Sequence, residues 1–301
     1  MNTTDRIKET LETLKIFSAT TNGVTRLPFT KEAKLAVNFL KQKMEEAGLK
    51  VFIDASGAIH GIRPGISSRK IIIGSHYDSV KSGGAYDGIA GVVCGIEIAR
   101  LLKYETLFYT LEIIGFNDEE GVRFGTGFFS SKAFLGEWNI ENLKHQYDEH
   151  GVSVYDAMKS WNLIPEQLTN SVWDLSQIRC FMEIHIEQGP VLEKENVELG
   201  IVNGIVGMKR YNIQILGRAD HAGTTPMNMR YDALAGTANI IEYIEKAAKK
   251  YAGAVATVGV CTISPNAVNT VPEKVEFSLD IRSMNSNELH SLEKDILKHL
   301  E

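Results

Sequence analysis

KIIIGSHYDS, residues 70–79, is the stretch from which the fold is read. Three consecutive isoleucines, Ile71 to Ile73, suit a strand buried on both faces, as in a sheet covered by helices. The run then breaks at Gly74 into Ser75, His76, Tyr77 and Asp78. In open α/β sheets, ligands bind at the carboxyl ends of the strands. His76 and Asp78 are two apart, so in an extended segment their side chains share a side. Asp78 can then hold the His76 ring and fix its tautomer, as a carboxylate behind a metal-bound histidine does. A surface His-x-Asp without function is the plain alternative.

The flanking sequence supports a helix-covered sheet. Ile7, Leu11, Leu14 and Phe17 recur at helical spacing, with Thr4 or Asp5 as the cap. A second helix is predicted over 31–47, with Leu35, Leu40 and Met44 on one face and Gly48 as its stop. Short strands are predicted over 49–53 and 58–62, a helix over 88–102, and buried strands over 108–116 and 180–186. Strands alternating with helices imply an α/β domain. Residues 136–174, rich in Trp, Asn and charge, read as short helices and loops inserted into it. From about Gly207 the rhythm changes to strand 209–216, helix 230–249, strands 254–263 and 274–281, and helix 288–300. That β-α-β-β-α order is a ferredoxin-like unit without its sixth element. Two domains are therefore expected, 1–206 and 207–301.

Composition narrows the function classes. With 32 basic and 38 acidic residues the net charge is −6, which argues against nucleic acid as a partner. Hydrophobic residues at 44% and charged residues at 23% describe a globular chain. No stretch approaches the ~18–20 apolar residues of a membrane helix, and MNTTDRIKETLETLKIF lacks the apolar core of a signal peptide. Cys94, Cys180 and Cys261 are far apart and form no CxxC pair. They suggest a reducing, cytoplasmic compartment, and each is expected to be a small buried hydrophobe.

Several further clusters carry chemistry. Asp87, in GGAYDGIAG, enters the 88–102 helix; it reads as a helix cap or as a carboxylate bridging two metals. Asp118, Glu119 and Glu120 follow a buried strand, where consecutive acids raise one another's pKa unless a cation or base intervenes. One can ligate metal while its neighbour serves as general base. Glu183, His185 and Glu187 alternate with apolar residues and so are expected on one strand face. His221, in DHAGTTPM, can offer a donor to a developing oxyanion or bond within its own loop. Asn269 lies in a turn-rich connection, and Arg210 and Arg282 can each fork onto a carboxylate or lie idle on the surface. Nitrogen and oxygen ligands without thiolates suit zinc, manganese, cobalt or nickel. Two such ions ~3.5–4 Å apart are a standard arrangement for amide hydrolysis. The glycines of 121–127 lack the Gly-Lys-Ser/Thr of a phosphate loop, and Ser75, Ser130 and Ser131 lack a G-x-S-x-G setting.

Together, GSHYDSVKSGGAYDGIAGV (74–92), DEEGVRFG (118–125), EIHIEQGPVLE (183–193), HAGTTPM (221–227), PNAVNTVP (265–272) and FSLDIR (277–282) resemble the metal-dependent amidohydrolase and exopeptidase family. Within it they resemble the branch of N-carbamoyl-L-amino-acid hydrolases, allantoate amidohydrolases and β-ureidopropionases. The resemblance spans nearly the whole chain. It implies a mixed-sheet, di-metal catalytic domain with an inserted ferredoxin-like lid and dimerisation domain. It implies His76, Asp87, Glu120 and His185 as ligands of two divalent ions, with Asp87 bridging. Glu119 would be the general base and Asp78 would orient His76. Gln188, Arg210, His221, Asn269 and Arg282 would bind substrate, with His221 steadying the tetrahedral intermediate.

The implied reaction is hydrolysis of a linear amide C–N bond in a carbamoyl or ureido compound bearing a carboxylate, by a homodimer joined through the lid. Aminoacylase or dipeptidase action is the alternative within hydrolases, and a non-catalytic remnant the alternative outside them. Family members run roughly a hundred residues longer and carry a further ligating histidine in a G-H-D/E-A-like setting. His290 and His299 do not match that motif, so one ligand, the last lid strand and the closing part of the catalytic domain are expected to be missing here.

Overall fold

The structure, a computed structural model, describes residues 2–300; residues 1 and 301, the outer ends of the two expected domains, lie outside the described residues. The chain divides into two compact units, Met1–Pro190 and Val191–Glu301. The sequence rhythm changes later, at Gly207, where the first long strand of the second unit begins.

The first unit runs α1 (Thr3–Ile16), α2 (Lys31–Glu46), β1 (Lys50–Ile53), β2 (Ile59–Arg63), β3 (Ser67–His76), α3 (Ile89–Leu101), β4 (Tyr109–Phe116), α4 (Phe129–Phe134), α5 (Ile140–His145), α6 (Val154–Ser160) and β5 (Ile178–Met182). Its sheet has the order β1-β2-β4-β3-β5. Strands β3, β4 and β5 are parallel, while β1 and β2 are antiparallel. The isoleucine run is buried on both faces as its composition demands. Ile73 packs with Val92, Val93 and Ile96 of α3, and Ile72 packs on the other face with Ile114 and Phe134. Fully burying one such side chain contributes roughly 1.5–3 kcal/mol.

Some expectations are corrected. Helix α1 is capped by Asn2, whose side chain accepts from Asp5 N, and not by Thr4 or Asp5. The buried stripe of α2 is Ala33, Ala36, Val37, Leu40 and Met44, at i, i+3, i+4, i+7 and i+11, while Leu35 is 42% exposed. Leu35 precedes Leu40 by five residues, which turns it off that face. The strand predicted over 180–186 ends at Met182, so Glu183, His185 and Glu187 do not share a strand face. Beyond it the backbone leaves the ladder. Glu183 is drawn to the Ser75 hydroxyl, 2.5 Å away, and the His185 ring bonds the Ile186 carbonyl. The cysteines are not core residues: Cys94 and Cys180 are half-buried and Cys261 is exposed.

The second unit comprises α7 (Val191–Glu195), β6 (Gly207–Leu216), β7 (Asp220–His221), α8 (Ala233–Ala248), β8 (Ala254–Thr257), β9 (Cys261–Ser264), β10 (Thr270–Val271), β11 (Lys274–Ser283) and α9 (Ser286–Leu300). The strand expected over 254–263 is two strands, β8 and β9, pairing with opposite ends of β11. Between them the Ser278 hydroxyl accepts from Val260 N, and Val260 O accepts from Ser278 N, which breaks the ladder. Val275, Phe277, Leu279 and Ile281 of β11 face the core with Ile244, Leu292 and Ile296 of the two long helices.

Candidate metal centre

His76 ends β3, Asn117 to Glu120 follow β4, and His185 follows β5. These strands are parallel neighbours, so their carboxyl ends deliver the three segments to one place. Asp87 joins them from the loop before α3. The residue at the helix start is Gly88, which makes no side-chain cap, so Asp87 is not consumed as one. Its Oδ1 lies 3.1 Å from His185 Nε2 and 3.8 Å from His76 Nε2. Glu119 Oε2 lies 3.9 Å from His76 Nε2. Two groups, His76–Asp87–His185 and His76–Glu119–Glu120, each bring ligand atoms within 4.8 Å of one another.

The tautomers decide what this arrangement can hold. His76 Nδ1 is 3.1 Å from the Asp78 carbonyl, and His185 Nδ1 is 2.8 Å from the Ile186 carbonyl. A carbonyl only accepts, so each Nδ1 carries a hydrogen, and each ring turns Nε2 toward Asp87, where it can donate as an imidazolium or ligate a cation as a neutral imidazole. At 3.1 Å a nitrogen and a carboxylate oxygen need a proton or a metal ion between them. A divalent ion fits this donor set of imidazole and carboxylate. These residues therefore suit the ions their chemistry implies.

Electrostatics point the same way. Burial, with the Asp78, Glu120 and Glu183 charges, raises the Glu119 pKa against the opposing pull of His76. Glu120 is raised by burial and by Asp87 and Asp78, again opposed by His76. Burial favours neutral His76, but Asp78, Glu119 and Glu120 outweigh it and raise its pKa. Protons are thus drawn to the place where a metal ion would neutralise the same charge.

Asp78 is fully buried and sits differently from the role expected of it. Its Oδ1 is 3.7 Å from His76 Nδ1, and its backbone carbonyl is what bonds the ring. The carboxylate instead accepts from Glu119 N at 3.1 Å and Glu120 N at 3.2 Å, pinning the acidic turn. Gln188, expected to touch substrate, donates its Nε2 to both Asp87 oxygens at 3.1 and 2.9 Å. Gly88, one of the glycines of 83–91 that permit tight turns and close approach, is where this freedom is needed. Its φ is +65°, and a Cβ there would stand 2.3 Å from His76 Nε2.

The second unit gathers the other expected residues into two places. Arg210 and Asp280 are opposite each other in the β6–β11 register, and Arg282 lies two residues further along β11. Asp280 accepts from Arg210 Nε at 2.8 Å and from Arg282 Nε at 2.7 Å, and Arg282 first, then Arg210, lowers its pKa. Asp280 therefore sets both guanidinium groups side by side in an open depression of about 730 Å³. Nothing local in the sequence marks Asp280 for this role; only strand register sets it opposite Arg210. His221 and Asn269 meet where β7 pairs with β10: Thr270 is opposite His221, and Ala222 N donates to Asn269 O. Gly223 N donates to His221 Nδ1, so the neutral ring carries its hydrogen on Nε2.

A mixed sheet whose three parallel strand ends gather imidazoles and carboxylates around Asp87 defines an α/β protein with a candidate metal centre. The chain belongs to peptidase family M20/M25/M40, whose family model matches residues 72–284. It is 41% identical over 293 residues to an N-carbamoyl-L-amino-acid amidohydrolase of Paenarthrobacter aurescens, covering 96% of this chain and 71% of that protein. It is 35% identical to an allantoate amidohydrolase of Bacillus subtilis, covering 97% of this chain and 72% of that one. Of three relatives named as N-carbamoyl-L-amino-acid amidohydrolases, it spans 71%, 65% and 65% of their length. Among solved structures, a hydantoinase/carbamoylase-family amidase of Burkholderia multivorans matches with a TM-score of 0.87 and 29% identity, covering 98% of this chain and 72% of that one.

Proposed function

We propose that this chain hydrolyses the linear amide C–N bond of a carbamoyl or ureido compound bearing a carboxylate, an N-carbamoyl-L-amino acid or allantoate. The observation that carries the reading is Asp87 facing two imidazole Nε2 atoms beside Glu119. His76, Asp87, His185 and Glu120 would hold two divalent ions drawn from zinc, manganese, cobalt or nickel. When bound, those ions polarise the substrate carbonyl and make water acidic enough to attack near neutral pH. Glu119, its affinity for protons raised by burial, takes the proton from the attacking water and returns it to the leaving nitrogen. His221 offers its Nε2–H to the developing oxyanion. Arg210 and Arg282, already paired on Asp280, are the cations for the substrate carboxylate. Asn269 and Gln188 complete the polar contacts, and Asp78 holds the turn that carries Glu119.

The names of the relatives support this substrate class. Homodimerisation through the second unit and a cytoplasmic location belong to the same reading. Among the described residues, no helix is long and apolar enough to cross a membrane. The test is ammonia release from N-carbamoyl amino acids and allantoate with manganese, cobalt or zinc, beside N-acetyl amino acids and dipeptides. Metal-dependent release from the first pair alone supports the proposal. Release of amino acids from the second pair alone overturns it.

A further inference from the structure

The turn Asp54–Ala–Ser–Gly–Ala58, between β1 and β2, carries no residue of the centre, yet it touches both segments that do. Tyr77 stands between His76 and Asp78, is fully buried, and donates its hydroxyl to the Gly57 carbonyl at 2.8 Å. Asn117 opens the acidic turn, is equally buried, and donates its Nδ2 to the Ser56 carbonyl at 3.0 Å. Adjacent carbonyls of one turn thus hold the segment after β3 and the segment after β4.

The turn is itself built to stay fixed. Asp54 Oδ1 accepts from Ser56 N, Ser56 Oγ and Ala58 N at 2.7–3.0 Å. Gly57 has φ +84°, and a Cβ there would lie 2.8 Å from Asn117 Nδ2, so the close seat of Asn117 requires glycine. On the far side Ser130 closes the arrangement. Its buried hydroxyl lies 3.1 Å from Ser56 Oγ, accepts from Asn117 N at 3.0 Å and lies 2.9 Å from Asn117 O. Asn117 is therefore gripped by backbone and side chain, one residue before Asp118 takes up φ +55° and the chain swings to present Glu119 and Glu120.

We propose that the 54–58 turn, with Ser130, is a positioning clamp that sets the spacing between His76 and the Glu119–Glu120 pair. It acts on the centre only through Tyr77 and Asn117. Among the described residues, Asn117 Oδ1 and Asp54 Oδ2 have no hydrogen-bond partner, so the remaining bonds carry the hold, and the loss of one loosens its neighbours as well. The inference rests on the proposed metal centre but not on the identity of the substrate.

The test compares Tyr77→Phe and Ser130→Ala with the unaltered chain and with Leu11→Ala, a core variant in α1 matched for lost thermal stability. Cobalt affinity is measured by titration calorimetry and cobalt geometry by its visible absorption. Both clamp variants are expected to lose about 10- to 100-fold in cobalt affinity, the usual effect of disturbing the support behind metal-holding residues. Their cobalt spectra should shift, and where turnover is measurable kcat should fall with KM within about twofold. Leu11→Ala should melt lower yet keep affinity and spectrum. Should either clamp variant fail to fold, Ser56→Ala removes one hydroxyl of the same network and gives the same readouts. Unchanged affinity and spectrum in the folded clamp variants overturns the proposal. Because cobalt binding is read without substrate, a chain inactive on every amide still decides it.

Discussion

Replacing Gly88 with alanine would put a methyl group where the His76 ring stands. The new Cβ would lie 2.3 Å from Nε2 and Cδ2 and 2.4 Å from Cε1. Optimal contact is about 3.5–4 Å, so the ring must retreat by about 1 Å or more. It has nowhere to go, because His76 is 4% exposed and its Nδ1 is tied to the Asp78 carbonyl. The backbone resists too: φ +65° with ψ −54° is a glycine region, and a side chain held there costs roughly 1–3 kcal/mol. His76 belongs to both ligand groups, so one methyl disturbs both at once. Gly88→Ala should therefore lower zinc or cobalt affinity by at least about tenfold, the lower end of what disturbing a ligand's support costs. Titration calorimetry gives the affinity, and far-UV circular dichroism shows that the variant is folded. A folded Gly88→Ala protein that binds metal as tightly as the unaltered chain would refute the assignment of His76 to the centre.

Further expectations can be tested alongside it. Glu119→Gln keeps the shape but removes the base, so kcat should fall by about 10²- to 10⁴-fold while metal affinity stays within a few fold; normal turnover would sink the base assignment. Arg210→Met and Arg282→Met should each raise KM for a carboxylate-bearing substrate about 10- to 100-fold, the worth of a charge-assisted hydrogen bond, and should spare an uncharged analogue. His60, on the sheet face away from α3, gives a pH signature. Burial disfavours its charge, but Asp54 and Glu112 outweigh burial and raise its pKa. The folded state then binds the proton more tightly than the unfolded chain. The stabilisation is present in full below the ordinary value of 6.5 and is lost as pH rises through the raised folded value. The urea midpoint should fall across that window, and His60→Gln should flatten the slope.

How much of this was legible in the sequence depended on whether the cause was local. The isoleucine run announced a strand covered on both sides, and His76 at its end announced the place where ligands gather. The acidic turn after β4 was legible for the same reason. The course of residues 183–188 was not. Alternation of Glu183, His185 and Glu187 with apolar residues reads as a strand, but the Ser75 hydroxyl and the Ile186 carbonyl draw the first two side chains off that pattern. Leu35 misled because its spacing from Leu40 is not helical, whereas Ala33, Ala36 and Val37 are small and easily overlooked. Nothing local marks the 54–58 turn as a support, because its partners Tyr77, Asn117 and Ser130 are distant in the chain. Asp280 was hidden likewise: only strand register sets it opposite Arg210.

The same few residues set stability and chemistry against each other. Asp78, Asp118 and Glu119 are each pushed toward the neutral form by burial before any neighbour is counted. A chain built for stability alone would not crowd them around two imidazoles whose Nε2 atoms face a carboxylate. The fold accepts the repulsion because three parallel strand ends, amide donors to Asp78 and the 54–58 turn leave the side chains little freedom to separate. A cation placed among them offsets the carboxylate repulsion, and the burial that penalises an isolated carboxylate strengthens its attraction to a metal ion. Rigidity without the ion is therefore a cost, and rigidity with the ion is preorganisation. In the proposed metal centre the supports behind the ligands therefore matter as much as the ligands, and a support lost while every ligand remains should still weaken metal binding.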